Sequence, residues 1–397
     1  MNNQNKIPSN ANWNYPTKIL FGAGRICELA YSCKDLNIRH PLLVTDPGLA
    51  TLPMVKSVLE KNEKAGLSTG LFSDVSPNPV ERNVLEGVRV FKDNRHDGVI
   101  AFGGGSSLDV GKTIALMVGQ NQSMWEFEDI GDNWKKVNPK GIAPIIGVPT
   151  NAGTGSEVGR ASVILDKKTQ TKKIIFHPKM LPEIVILDPE LTLGLPSNIT
   201  AATGMDALIH CLEAFCAPGF HPMADGIAVE GIRLIKKWLP AAYHEGTNLT
   251  ARSHMLVAAS MGATAFQKGL GGVHALSHPI GALYDTHHGL TNAVILPYVL
   301  MFNQQALKEK FSGLASYLQL KERSFKGVMD YLLALREELG IPHSLKRIGV
   351  DGLKVDEISK MAVADPSAGG NPIPLSKEDF KTIFEAALSG RLDVLQG

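Results

Sequence analysis

The sequence predicts an α/β domain over residues 1–192, followed by an all-helical domain over residues 193–397. Up to about residue 190, short β-branched runs alternate with helical runs, which is typical of βαβ units. After the Gly and Pro residues near position 195, long helical patterns follow with almost no strand signal. A chain of 397 residues is long enough for two domains with a large core.

Four apolar, β-branched runs predict the strands of the first domain. They lie at residues 41–46, 70–74, 98–102 and 142–148, and a helical pattern over residues 80–94 separates two of them. Continuous apolar runs of this length indicate strands buried in a parallel sheet.

The charge balance and the cysteine pattern argue against several classes of protein. The chain carries 40 basic and 39 acidic residues, a net charge of +1, and no basic run interleaved with aromatic residues. A nucleic-acid partner is therefore not expected, and the substrate is expected to be small. The four cysteines form no Cys-x-x-Cys motif, the first six residues lack an apolar segment, and no apolar run reaches the about 18 residues of a membrane span. We expect a protein of the cytoplasm with no membrane partner.

Two helical spacings predict a metal site in the second domain. Asp206 and His210 stand four residues apart, and so do His274 and His278. Side chains at this spacing project from one helix face about 5–6 Å apart, so each pair can aim two donors at one point. With the His-His-Gly cluster at residues 287–289, three imidazoles and a carboxylate suit a divalent cation of the Fe, Zn, Ni or Co type. Each histidine alone is more often a hydrogen-bonded, half-buried side chain, so the prediction depends on the whole set.

A glycine-rich loop predicts a phosphate-binding site in the first domain. Three glycines at residues 103–105 follow a predicted strand and lead into a helix, whose N-terminal N–H groups suit a pyrophosphate. The loop is neither a G-x-G-x-x-G fingerprint nor a Walker A motif, because Ser106 occupies the position of the first Walker glycine. A tight turn with no ligand is the alternative.

Asp46 predicts which nucleotide is bound. It lies at the carboxyl end of an earlier predicted strand, where its carboxylate suits a ribose diol and opposes a 2′-phosphate, which favours NAD over NADP. An ordinary turn residue before Pro47 is the alternative.

A second polar loop, at residues 149–157, follows another predicted strand. Its hydroxyls and amides suit the second phosphate and the nicotinamide. Alternatively, the loop is a helix entry that Thr154 or Ser156 caps. The spacing leaves both interpretations open.

Taken together, these segments resemble the iron-containing, or group III, alcohol dehydrogenase family. The resemblance rests on residues 103–109, 149–157, 202–210 and 273–281 with the His-Gly pair at 288–289, and it covers nearly the whole chain. It implies an N-terminal Rossmann-like α/β domain and an all-α C-terminal domain, an architecture shared with dehydroquinate synthase. NAD and the metal would meet in the cleft between these two domains.

The resemblance also implies roles for individual residues. The metal ligands fall on Asp206, His210, His274 and His288, and His278 lies close to the substrate. The implied cofactor-binding positions are Asp46, Asn78, Gly104, Gly105, Ser106, Ser107, Thr150, Thr154 and Lys173.

The chain departs from the family pattern at two positions. The usual text before the last ligand is Thr-Pro-His-Gly, whereas His287 precedes His288 here, so His288 is assigned by its place before the glycine and His287 is the alternative. Asn151 stands where many members have Thr, which affects contacts to the nicotinamide half. Residues 266–271 are similar to the 4-hydroxybutyrate dehydrogenase branch, and Lys268 there suits a substrate carboxylate. A lysine extended to solvent is the alternative.

The implied activity is that of an NAD-dependent alcohol dehydrogenase and aldehyde reductase acting on small primary alcohols. Fe²⁺, or alternatively Zn²⁺, would bind the hydroxyl oxygen as a Lewis acid and favour the alkoxide, whose hydride would pass to the nicotinamide. His278 would relay the proton outward or form a hydrogen bond to the substrate. The resemblance further implies a homo-oligomer, with a dimer as the expected form.

Three other activities compete with this one. A 4-hydroxybutyrate (ω-hydroxyacid) dehydrogenase and a hydroxyacid-oxoacid transhydrogenase are alternatives within the family. A lyase of the dehydroquinate synthase type also uses NAD and a divalent metal. That class uses a Glu ligand and a crowded set of basic residues, whereas Asp206 lies in a mostly apolar segment.

Overall fold

The computed structural model describes residues 11–13 and 17–395 of the chain. The first six residues, on which the targeting prediction rests, lie outside this described part. The chain divides into two compact units, Met1–Gly194 and Leu195–Gly397.

A seven-stranded sheet forms the centre of the first unit. The strands of this unit are β1 (Ala11–Trp13), β2 (Lys18–Phe21), β3 (Pro41–Val44), β4 (Gly70–Phe72), β5 (Gly98–Gly103), β6 (Ile145–Pro149), β7 (Ala161–Asp166), β8 (Thr171–Phe176) and β9 (Ile184–Leu187). The order in the sheet is β1-β2-β9-β6-β5-β3-β4, and all neighbours are parallel except β1 and β2. β7 and β8 form a separate antiparallel hairpin. The predicted parallel α/β sheet is confirmed.

The central strands are buried on both faces, because alternate side chains enter two different cores. Val99 and Ala101 of β5 lie in one apolar cluster, whereas Ile100 and Phe102 lie in the other. All four side chains are inaccessible to solvent. This two-sided burial explains why the strand is a continuous apolar run rather than an alternating one.

The register brings the carboxyl ends of three strands to one edge of the sheet. Gly103 at the end of β5 pairs with Pro149 at the end of β6, and Val44 at the end of β3 pairs with Ala101 of β5. The loops that follow β3, β5 and β6 therefore start side by side. This edge is where parallel α/β sheets bind ligands.

Helices cover the sheet of the first unit. They are α1 (Leu29–Asp35), α2 (Pro47–Ala50), α3 (Pro53–Lys64), α4 (Glu81–Asp93) and α5 (Gly105–Met117). α5 lies very close to β5, since a Cβ atom at Gly111 would be 2.7 Å from Cβ of Ala101. Glycine at this position allows the helix that follows the glycine loop to pack directly on the sheet.

The second unit is helical throughout its described residues, as predicted. Its helices are α6 (Ser197–Cys216), α7 (Pro222–His244), α8 (Leu249–Ala265), α9 (Gly272–Tyr284), α10 (His288–Phe302), α11 (Gln304–Tyr317), α12 (Phe325–Glu338), α13 (Val355–Ala364) and α14 (Lys377–Ser389). α6 is buried around most of its circumference, which places it at the centre of the unit. It packs against α7, α8 and α10, and α10 packs against α9. None of the helices in the described part of the chain combines the length and apolarity that crossing a membrane requires.

Candidate active site

α6 carries the first two predicted metal ligands on one buried face. Asp206 and His210 are one helical turn apart, and Oδ1 of Asp206 lies 3.9 Å from Nε2 of His210. Both side chains are almost completely buried. Since α6 is the central helix of its unit, it holds these two polar groups in the interior of that unit.

α9 and α10 bring two further imidazoles to the same carboxylate. Nε2 of His274 and Nε2 of His288 each lie 3.8 Å from Oδ1 of Asp206. The rings of His210 and His274 are stacked, with centroids 4.9 Å apart. Donor atoms of Asp206, His210 and His274 all lie within 4.8 Å of one another. Three helices thus bring together the four residues that the family resemblance named as ligands.

His287 has a different position from His288. It is the N-cap residue of α10, and its Nδ1 accepts a hydrogen bond from the N–H of Leu290 at 3.4 Å. Its side chain is exposed, whereas His288 faces Asp206. Of the two histidines that the sequence left open, His288 is the one beside the other donors.

The donor set fits a divalent cation. Atoms bound to one ion such as Zn²⁺ at about 2.0–2.2 Å cannot be more than about 4.4 Å apart. The separations of 3.8–3.9 Å from Asp206 satisfy this limit. One carboxylate with three imidazoles suits Fe²⁺ or Zn²⁺.

The side-chain amide of Asn292 lies next to three of the four predicted ligands. Its Nδ2 lies 2.8 Å from Oδ1 of Asp206, 3.2 Å from Nε2 of His274 and 3.1 Å from Nε2 of His288. One carboxylate oxygen and two imidazole nitrogens of the predicted ligand set therefore lie within hydrogen-bond distance of a single amide nitrogen. This convergence is what a cation-binding site requires.

Carboxylates hold two of the imidazoles from their far sides. Oε2 of Glu213 lies 2.6 Å from Nδ1 of His274, and Oδ2 of Asp365 lies 2.8 Å from Nδ1 of His278. Burial disfavours the charged form of His274, but the carboxylates of Glu213 and Asp206 outweigh it and raise the pKa of His274. Burial likewise opposes ionisation of Asp365, but the His278 imidazole outweighs it and lowers the pKa of Asp365.

His278, the predicted catalytic residue, lies beside two of the predicted metal ligands, His274 and His288. Its ring is stacked on that of His288 with centroids 5.5 Å apart, and its centroid is 5.8 Å from that of His274. Its side chain retains slight access to solvent. This position suits a group that contacts a substrate next to the metal.

The glycine loop of the first unit lets two loops approach each other. Gly103 has φ of 141°, in the region that favours glycine. A Cβ atom at Gly104 would lie 2.8 Å from Nδ2 of Asn151, and one at Gly105 would lie 2.5 Å from Cγ2 of Thr154. The structure therefore brings the predicted cofactor residues Gly104, Gly105 and Thr154 together.

Four further predicted cofactor residues lie at or next to the glycine loop, namely Asn78, Ser106, Ser107 and Thr150. Oγ of Ser106 donates to the carbonyl of Pro77 at 2.6 Å, which brings the neighbouring Asn78 to the glycine loop. The N–H of Thr150 donates to the carbonyl of Gly103 at 3.0 Å. Ser107, at the start of α5, is buried.

Side chains of α5 hold the second loop in place. Oδ1 of Asp109 accepts a hydrogen bond from Oγ of Ser156 at 2.5 Å, and Nζ of Lys112 donates to the carbonyl of Ser156 at 3.0 Å. Lys112 also donates to the carbonyls of Gly159 and Ala161. Burial of this ammonium lowers the pKa of Lys112, although Asp109 opposes the shift.

Two predicted cofactor residues have partners inside the first unit. Oδ1 of Asp46 accepts a hydrogen bond from the N–H of Leu49 at 2.9 Å and so caps α2, which is the turn-type role that the sequence left open. Nζ of Lys173 lies 3.4 Å from Oε2 of Glu128 and 3.3 Å from Oδ2 of Asp166. Burial opposes the charge on Lys173, but these two carboxylates outweigh it and raise the pKa of Lys173.

Lys268 is buried in an ion pair. Its Nζ lies 2.6 Å from Oδ1 of Asp225, and only 3% of its side chain is exposed, so it does not extend to solvent. Phe266, two residues earlier, contacts the ring of His210 edge to face, with centroids 5.1 Å apart. The segment that contains Lys268 therefore contacts one predicted metal ligand, His210.

Three polar residues of this site were missing from the sequence prediction. Glu213 stands three residues after His210, and Asn292 stands four after His288, so helical spacing held a signal for both. Asp365 stands 87 residues from His278, and no local pattern links the two.

Comparison with known proteins identifies the family. Residues 16–189 match the model for iron-containing alcohol dehydrogenase, and residues 200–388 match the model for the C-terminal domain of the Fe-containing alcohol dehydrogenase family. The chain therefore belongs to the iron-containing alcohol dehydrogenase family, as the sequence resemblance predicted.

Individual relatives match over nearly their full lengths. The 4-hydroxybutyrate dehydrogenase of Cupriavidus necator is 36% identical over 384 residues, covering 94% of this chain and 99% of that protein. The NAD-dependent methanol dehydrogenase of Bacillus methanolicus is 32% identical over 388 residues, covering 95% of this chain and 100% of that protein. Among solved structures, 1,3-propanediol oxidoreductase has a TM-score of 0.89 and 34% identity, covering 96% of this chain and 100% of that one.

Proposed function

We propose that this chain is an NAD-dependent alcohol dehydrogenase and aldehyde reductase that acts on small primary alcohols. The observation that carries the proposal is the convergence of Asp206, His210, His274 and His288. We assign these four residues as ligands of Fe²⁺, with Zn²⁺ as the alternative. The dependence on NAD is supported by the glycine loop and by the name of the methanol dehydrogenase relative.

The reaction requires that the alcohol lose a proton and a hydride. When bound, the metal supplies a Lewis acid that favours ionisation of the substrate hydroxyl. His278, whose Nδ1 is bonded to Asp365, is oriented to accept the hydroxyl proton at Nε2. The Asp365 carboxylate then stabilises the imidazolium that forms. In aldehyde reduction the same pair returns the proton.

The first unit holds the cofactor in this proposal. The N-terminus of α5 and its glycine loop suit the pyrophosphate, and the carboxylate of Asp46 suits the adenine ribose and disfavours a 2′-phosphate. The residues assigned to the cofactor are Asp46, Asn78, Gly104, Gly105, Ser106, Ser107, Thr150, Thr154 and Lys173.

The test is metal analysis of the purified protein followed by assays of NAD reduction. Wild type should hold one Fe²⁺ or Zn²⁺ per chain and oxidise members of a panel of primary alcohols, diols and ω-hydroxyacids. Asp206→Ala should lose the metal and nearly all turnover while NAD binding stays measurable. Wild type without metal and without turnover, or Asp206→Ala with full metal content, would refute the assignment.

A second candidate is a dehydrogenase of ω-hydroxyacids such as 4-hydroxybutyrate. It is favoured by the Cupriavidus necator relative and by the position of Lys268 in the segment that reaches His210. Because Asp225 already compensates Lys268, a substrate carboxylate has to share this ammonium with Asp225. A charge-assisted hydrogen bond of about 1.5–3 kcal/mol corresponds to roughly tenfold to hundredfold in kcat/KM.

The ratio of kcat/KM for 4-hydroxybutyrate to that for 1-butanol tests this candidate. Lys268→Met should abolish any preference for the acid, whereas Asp225→Asn, which frees the ammonium, should increase it. Preference of wild type for 1-butanol, or retention of the acid preference in Lys268→Met, would exclude the candidate.

We also propose that the chain forms a homo-oligomer, with a dimer as the expected form, in the cytoplasm. Cys27, Cys33, Cys211 and Cys216 are free thiols, which supports a reducing compartment. Burial raises the pKa of Cys211 and of Cys216 to about 12, so these thiols are unreactive. Light scattering on the purified protein measures the mass of the assembly.

A further inference from the structure

Glu213 contacts two consecutive residues at the start of α9. Oε1 accepts a hydrogen bond from the N–H of Val273 at 2.7 Å, and Oε2 lies 2.6 Å from Nδ1 of His274. The carboxylate is buried and projects from α6, three residues beyond His210. It therefore connects the helix that carries two of the proposed ligands with the helix that carries the third.

The backbone contact satisfies a need of α9 itself. The first N–H groups of a helix have no partner within the helix. The N-cap residue of α9 is Gly271, which has no side chain to offer, and a Cβ there would lie 3.0 Å from Oε1 of Glu213. Glu213 takes over this capping role together with Asn371, whose Oδ1 accepts from the N–H of Gly272 at 3.1 Å.

The side-chain contact selects one tautomer of His274. An ionised carboxylate only accepts hydrogen bonds, so Nδ1 of His274 carries the hydrogen. Nε2 is then left with the lone pair, and Nε2 is the atom that faces Asp206 at 3.8 Å. The opposite tautomer would place a hydrogen where a metal has to bind.

Apart from Val273 and His274, the described surroundings of Glu213 are mostly apolar. The small cavity beside it is lined mainly by apolar atoms, including those of Leu212, Cys216 and Leu307. The two amides at this cavity, Asn303 and Asn371, are hydrogen-bonded to each other at 2.9 Å in both directions.

We propose that Glu213 is a positioning residue that fixes the start of α9 and the metal-binding tautomer of His274 together, so that metal affinity depends on both of its oxygens accepting. This inference rests on the metal site of the proposed function. Glu213 would contact neither the metal nor the substrate, but it would determine which nitrogen of His274 can bind the metal.

Glu213→Gln tests the proposal with almost no change in volume. Glutamine has a single acceptor oxygen, so it can serve only one of the two donors. If the oxygen faces Val273, the NH₂ group faces Nδ1 of His274 and forces the wrong tautomer. If it faces His274, two N–H groups oppose each other at the start of α9. We expect metal affinity to fall about tenfold to hundredfold.

Affinity is measured as the Kd for Co²⁺ and for Zn²⁺ by competition with a chelator, and the visible spectrum of bound Co²⁺ reports its coordination. The control is Asn371→Ala, which removes the other cap of α9 without touching the imidazole. It should lower the melting temperature of the metal-free protein and leave the Kd within about threefold of wild type. Glu213→Gln should change the Kd much more than the melting temperature.

The outcomes separate this inference from the proposed function. Wild type that binds neither ion overturns both. Tight binding by wild type with an unchanged Kd in Glu213→Gln overturns the role of Glu213 alone, and so does an equal loss in Asn371→Ala. If Glu213→Gln does not fold, ¹⁵N spectra of histidine-labelled, metal-free wild type, recorded at a pH at which His274 is neutral, decide: hydrogen on Nδ1 of His274 supports the proposal, and hydrogen on Nε2 overturns it.

Discussion

Replacing Gly289 with alanine should disturb the metal site without changing any ligand. Gly289 lies at the contact between α10 and α6, directly after His288. A Cβ atom there would lie 2.5 Å from the carbonyl oxygen of Ala202 and 3.2 Å from Cβ of Asp206. Since close carbon–oxygen contacts stop at about 3.3 Å, the start of α10 has to move away from α6 by roughly 0.8 Å.

This displacement is large on the scale of a metal site. Metal–donor distances are held to about 0.2 Å, so His288 would leave its place beside Asp206. We expect Gly289→Ala to bind Zn²⁺ at least about tenfold more weakly than wild type. The forced contact should also cost about 1–3 kcal/mol in the free energy of unfolding.

The matched control is Gly313→Ala in α11. A Cβ atom at Gly313 meets no other atom within 4 Å. This variant should therefore gain about 0.5–1 kcal/mol of stability, because alanine loses less backbone entropy in a helix than glycine does. Metal stoichiometry, the Kd for Zn²⁺ and the melting temperature are measured for both variants. A wild-type Kd in Gly289→Ala, or an equal loss of metal in Gly313→Ala, would refute the predicted displacement of α10.

Three further predictions concern single side chains. His288→Ala should lose metal while His287→Ala keeps it, because the exposed His287 caps α10 whereas His288 faces Asp206; if metal analysis shows the reverse, the ligand is His287 and not His288. Asp46→Asn should retain the α2 cap but relax the preference for NAD over NADP, and an unchanged ratio of kcat/KM for the two cofactors would contradict the ribose contact. Lys112→Met removes the donor that holds the Ser156 carbonyl, so KM for NAD should rise by more than the metal Kd changes; equal changes in both would indicate general unfolding instead.

The sequence predicted the secondary structure best where local periodicity determines it. Helical spacing placed Asp206 and His210 on one face of α6, and the apolar run at residues 98–102 was long enough to mark β5 as a buried strand. The hairpin of β7 and β8 was not predicted, although β7 alternates between buried and partly buried residues as a half-buried strand does.

Contacts between distant side chains were beyond such reasoning. The pairing of Lys268 with Asp225 spans 43 residues, and that of His278 with Asp365 spans 87. These pairs depend on how helices pack against each other, and the periodicity of a single segment contains no information about its neighbour. The same reason explains why the sequence left open whether Lys268 reaches solvent.

The brace between α5 and the loop at residues 149–157 has a thermodynamic consequence. Asp109 and Lys112 hold Ser156 by hydrogen bonds, and the N–H of Thr150 donates a hydrogen bond to the carbonyl of Gly103. Ordering a rotamer-rich side chain on binding costs about 0.5–1.5 kcal/mol, and the smaller cost of ordering Ser156 falls on folding rather than on binding. In the proposed function, the cofactor would therefore contact a surface that is formed during folding, and its affinity would be spared the entropy loss of ordering Ser156.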